Sequence, residues 1–134
     1  MGNFSSIDIS ASGLYAQRIR MDTIANNIAN ANTTRTEKGG PYCKHEVVFR
    51  VHTNDSGDSE GVDVENVVES KEPPKMIYDP SNPDASANGM VAMPNINIVE
   101  EMVDMMTATR AYEANVQAVN AAKSMAVKAL ELGR

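Results

Sequence analysis

The sequence predicts a mainly α fold with a β-rich insert. Long N- and C-terminal helices are expected to form an antiparallel coiled-coil pair that bundles with other subunits. Three observations carry this. Apolar residues recur at three-four spacing near both ends of the 134-residue chain. The stretch between them is rich in β-branched residues, Gly and Pro. Charge divides the same way: the net −6 splits into zero for residues 1–34, −5 for 35–94 and −1 for 95–134. Three parts follow, with boundaries at 34/35 and 94/95.

In the first part, positions 7, 10, 14, 17, 21, 24, 28 and 31 hold Ile, Ser, Leu, Gln, Met, Ile, Ile and Ala. This is a coiled-coil-like seam, which Phe4, Ala11 and Ala25 widen. Ser5 or Ser6 is expected to cap the start. Asn30, Asn32, Thr33 and Thr34 favour caps and turns over helix, so they mark its end. Some 28 residues of helix make a rod of about 40 Å. Gly13 sits mid-helix, where it costs about 1 kcal/mol relative to Ala. Close approach by another helix would compensate. Asn26, Asn27, Asn30 and Asn32 crowd the helix end, either as a solvated, frayed terminus or as amides bonding across packed helices.

In the middle part, residues 44–52 and 61–69 read as strands because they are rich in β-branched residues. A polar loop, 53–60, separates them. Residues 75–78 form a shorter strand candidate, and 79–89 form a Pro- and Asp-containing loop.

In the last part, the seam runs through Ile98, Met102, Met105, Thr109, Tyr112, Val116, Val119, Lys123, Ala126 and Leu130. Pro94 precedes it, and Asn95 or Asn97 can cap it. Glu100, Glu101 and Asp104 complement the helix dipole at the start, with Lys123, Lys128 and Arg134 toward the end. Apolar or small residues also fill other faces: Val99, Val103, Met106, Ala108, Ala111, Ala114, Ala118, Ala121, Ala122 and Val127. A helix apolar nearly all round needs several neighbours to bury it. A chain this short does not supply them. A small bundle that merely dimerises is the plainer alternative.

Several classes are disfavoured. Acidity argues against a nucleic-acid binder, which needs a basic stripe. No apolar run approaches the ~20 residues of a membrane span. The start lacks the basic and apolar regions of a Sec-type signal peptide, and Met1-Gly2 with Ser6 only formally fits a myristoylation pattern. Asp55, Asp58, Glu60 and Asp63 fit no EF-hand register. Cys43, His45 and His52 are too few and poorly spaced for a zinc site. No cofactor, metal or catalytic residue is expected, and the chain is read as a non-enzyme.

The run Ser10-Ala11-Ser12-Gly13-Leu14, followed by Asn26-Asn27-Ile28-Ala29-Asn30-Ala31-Asn32-Thr33, resembles the N-terminal signature of the bacterial flagellar axial proteins, the rod, hook and hook-associated subunits. Residues 34–42, 79–85, 93–105, 107–115 and 128–131 narrow the likeness to the proximal rod. Residues 43–75 match weakly. Cys43-Lys44-His45 stands where more basic residues are common, and Met90 where an aromatic is expected.

The resemblance implies a structural subunit that assembles into the periplasmic drive shaft and transmits motor torque. It implies export by the flagellar type III apparatus, through a transient contact and without a cleaved signal. Residues 1–34 and 95–134 would form the inner coiled-coil core and 35–94 the outer part. Neighbours would be copies of itself, the proximal-rod proteins FlgB and FlgF and the hook–basal-body adaptor FliE, with the distal-rod FlgG a further candidate. The assembly interface is expected at Ile7, Leu14, Met21, Ile24, Asn26, Asn27, Ile28, Asn30, Ile98, Met102, Met105, Tyr112, Val116, Val119 and Leu130. Both ends are expected to be largely disordered before assembly. A secreted coiled-coil binding module forming a discrete oligomer is the alternative.

Overall fold

The computed structural model describes residues 2–133, with side chains from Ser5 onward. Phe4, Met1 and Arg134 therefore lie outside the described side chains. The order is α1 (Gly2–Ala29), β1 (His45–Thr53), β2 (Ser59–Glu69), β3 (Lys75–Tyr78), β4 (Met90–Met93) and α2 (Ile98–Leu132).

Helix α1 runs through Ser5 and Ser6, so neither is its cap. No proline stands near them to stop a helix, and serine is tolerated inside one. At the other end Asn30 Nδ2 donates to the Asn26 carbonyl at 2.9 Å, and Thr33 Oγ1 donates to Asn30 Oδ1 at 3.1 Å. The amides there finish the helix locally.

β1 and β2 form an antiparallel hairpin whose register shifts at Val48/Phe49 and at His52/Thr53. Each shift adds a residue to β2 and increases local twist. The second draws Ser59 and Glu60 into the strand, so the expected loop 53–60 is shorter. Asn54 Oδ1 closes it by accepting from Ser56 N at 3.0 Å and Asp58 N at 2.9 Å. The hairpin lies along α1. Val62 N donates to Ser12 Oγ at 3.1 Å. Gly61, at φ 136°, sits against Ser12, where a Cβ would overlap the hydroxyl.

β3 and β4 form a second antiparallel hairpin. β4 is too short and too close to Pro94 to stand out in the sequence. Yet Val91 is 1% exposed and Ile96 6%, so this stretch is core while β3 is exposed throughout. Asp84, in the loop between β3 and β4, ties the second hairpin to the chain after α1. It accepts from Thr34 Oγ1 at 2.6 Å and pairs with Arg35.

Asn97 caps α2: its side chain accepts from Val99 N. Asn95 instead donates to Glu72 at 3.0 Å. α2 is about 50 Å long, and among the other elements it packs only on α1. The two run antiparallel. Asn27 meets Glu101, Met21 meets Thr109, and Gly13 faces Asn115. A Cβ at Gly13 would lie 2.7 Å from Asn115 Nδ2. Close approach of α2 is thus the compensation for a mid-helix glycine.

Candidate assembly surface

The α1 positions of the expected seam are all covered to some degree. Ile24 is buried and Ile7, Ser10, Leu14, Gln17, Met21 and Ile28 are half-buried, while Ala31, buried too, lies in the turn after the helix. Ala11 and Ala25 are exposed and do not widen the seam.

On α2 the covered stripe differs. It runs through Glu101, Met105, Ala108, Tyr112, Asn115, Val119, Ala122 and Ala126, again at three-four spacing. It shares Met105, Tyr112, Val119 and Ala126 with the expected seam. At the alternate positions it is rotated by one residue. Ile98, Met102 and Leu130 therefore do not meet α1. They are 42%, 56% and 75% exposed. Val116 stays half-buried at the flank.

Size explains the rotation. The most deeply covered positions of α2 are small: Ala108 is 0% exposed and Ala122 3%, and small residues at a helix contact let the partner backbone approach. Reading for the largest apolar residues selects the wrong neighbouring position.

The larger residues face outward. Val99 is 69% exposed, Val103 55% and Met106 58%. With Ile98 and Met102 they form one continuous apolar surface over the first turns of α2. Met125, Val127, Leu130 and Leu132 leave a second apolar region at its end. Asn26 is exposed, and Asn30 serves its own helix.

Asn27 behaves differently from its neighbours and is 1% exposed. Its Nδ2 donates to the His45 carbonyl at 2.8 Å and to Glu101 Oε2 at 3.2 Å. Its Oδ1 accepts from His45 N at 2.9 Å and from the Tyr42 hydroxyl at 3.1 Å. His45 Nδ1 lies 3.0 Å from that hydroxyl. Glu101, also 1% exposed, pairs with Lys44 Nζ at 2.8 Å. The Glu101 carboxylate holds the Lys44 pKa above the ordinary lysine value. Burial, then the nearby Glu101 charge, raises that of Tyr42.

Asn27 does bond across the packed helices, one of the two readings its sequence allowed, but sequence reasoning placed Glu101 only among first-turn acids complementing the helix dipole and did not foresee its burial with Lys44. The available signal was position: Glu101 continues the Met105, Ala108 and Tyr112 stripe backward by one step.

Cys43 is exposed. No group of three or more metal-ligating side chains gathers among the described residues, and no described helix is long and apolar enough to cross a membrane.

A family profile described as "Flagella basal body rod protein" matches residues 7–35, most of α1 and the turn after it. Another, described as "Flagellar basal body rod FlgEFG protein C-terminal", matches residues 87–132, which hold β4 and α2. Neither profile covers residues 36–86. Across its length the chain is similar to the flagellar basal-body rod protein FlgC of Borreliella burgdorferi, 44% identical with 98% of each chain covered. The FlgC of Salmonella typhimurium is 43% identical over all of both chains. That of Aquifex aeolicus is 47% identical over 98% of this chain and 97% of its own. The chain belongs to the FlgC family of flagellar basal-body rod proteins.

Proposed function

We propose that the protein is a structural subunit of the proximal rod of the flagellar basal body. It self-assembles through its terminal helices into the shaft that transmits motor torque. The observation that carries this is the outer face of α2, where Val99, Met102, Val103 and Met106 are each more than half exposed. Burying a large apolar side chain contributes roughly 1.5–3 kcal/mol relative to exposure. A few such contacts per neighbour, repeated along an array, give a stiff assembly. The likeness to whole FlgC chains supports the same reading.

In this reading residues 1–34 and 95–134 form the inner coiled-coil core, and 35–94 face outward. Ile98, Met102 and Leu130 dock on neighbours directly. Leu14, Met21, Ile24, Ile28, Met105, Tyr112, Val116 and Val119 hold the helix pair in docking shape, with Ile7, Asn26 and Asn30 at its margins. The neighbours are copies of this chain, FlgB, FlgF and FliE, with FlgG a further candidate. The subunit reaches the periplasm through the type III export apparatus without a cleaved signal.

A cryo-EM map of isolated basal bodies tests this. Density for the chain in the proximal rod, with both helices inside the core, is expected. Its absence from the rod overturns the reading.

A further inference from the structure

We infer that Glu101, Lys44 and Asn27 are positioning residues that fix the first hairpin against the root of the helix pair. The cluster draws one group from each part of the chain. Asn27 is on α1, Lys44 precedes β1, and Glu101 is on α2, 74 positions from Asn27. Asn27 offers both a donor and an acceptor to the backbone of His45. Its amide thereby imitates the pairing edge of an adjacent strand and aligns β1 with α1. Glu101 then joins that amide from below, and Lys44 neutralises it. A carboxylate this buried is tolerated only with its partners in place. The hairpin orientation is therefore set when both helices are docked.

Buried ion pairs add little net stability compared with apolar residues of similar size. The role proposed here is geometric, and geometry is separable from stability by experiment. Spin labels go at Glu65→Cys on β2 and Thr107→Cys on α2, both exposed, in a Cys43→Ser background. Distance distributions between them are read by pulsed electron resonance on the purified chain, alongside thermal melting. The unsubstituted cluster should give one narrow distribution. Lys44→Met with Glu101→Met should melt near the same temperature while the distribution widens at least twofold.

An unchanged width in the double variant overturns the inference. So does loss of helical circular dichroism in that variant, since the pair would then hold the fold together and not the angle. A broad distribution with the cluster intact also overturns it. Failure of rod assembly leaves these readouts untouched.

Discussion

The two long helices share one seam and differ in everything outside it. α1 is covered on two sides, by α2 and by the first hairpin. Its exposed positions are mostly polar or small: Asp8, Arg18, Asp22, Ala25, Asn26 and Ala29, with Ile9 and Tyr15 the large exceptions. α2 is covered on one side and apolar on much of the rest. α1 is thus largely finished within the chain, and α2 is not. A soluble helix normally turns its polar face to water. α2's outward methionines and valines mark the surface that still lacks a partner. Contacts that build an open array join different surfaces of identical or related subunits. Such contacts need an apolar face without a twin on the opposite side.

The largest expected effect breaks this asymmetry directly. Met106→Asp on the outer face of α2 should abolish assembly. Ala25→Asp on the outer face of α1 should leave assembly nearly intact. Both positions are exposed, so each should alter subunit stability by only about 0.5 kcal/mol. Motility complementation and sedimentation read the difference, and equal effects would erase the distinction between the helices.

The next effect falls at the root they share. Lys44→Met alone leaves Glu101 buried without its counter-charge, at a cost of about 3–5 kcal/mol. Chemical denaturation measures it. Lys44's raised pKa makes a related statement. Its contribution is fully present below the ordinary lysine value and is lost as pH rises through the raised one.

Ala108→Leu should follow, destabilising by about 1–3 kcal/mol, because its 0% exposure leaves no room for added carbons. Ala118→Leu, on the exposed side of the same helix, should change subunit stability little. If the two substitutions match, the seam has been misplaced.

The smallest effect lies away from both helices. The Thr34 hydrogen bond, with Arg35 nearby, holds the Asp84 carboxyl below its ordinary value. Its stabilisation is present above the unfolded-state pKa and is lost as pH falls through the lowered one. The second hairpin should loosen slightly in acid, seen as lower amide protection factors at β4 once the intrinsic pH dependence of exchange is divided out. Thr34→Val should reduce that dependence.

Much of this molecule is legible along the chain. Three-four spacing locates both helices, and β-branched runs locate β1, β2 and β3, because these patterns repeat within each element. Pro94 and the apolar pattern beginning at Ile98 narrow the cap of α2 to Asn95 or Asn97, and the structure chooses Asn97. β4 escapes because four residues carry too little periodicity. The α2 seam escapes in part because two stripes one residue apart both keep three-four spacing. Only the partner helix chooses between them.

The expected disorder of both ends also becomes more graded. Asn27 and Glu101 knit the root of the pair. Toward Gly13 and Asn115 no further buried polar side chain joins the two helices among the described residues. In dilute subunit, amide protection should therefore be higher near residues 24–31 and 97–108 than toward the far ends of the pair.

By itself the sequence determined both helices, the three longer or more β-branched strand candidates, the charge segregation and the likeness to axial proteins. Local periodicity and composition are properties of a chain before it folds. Tertiary structure alone decided which stripe of α2 turns inward and which carboxylate is buried. Both depend on how near another backbone comes. Small residues admit that approach, and Lys44 makes Glu101 tolerable within it.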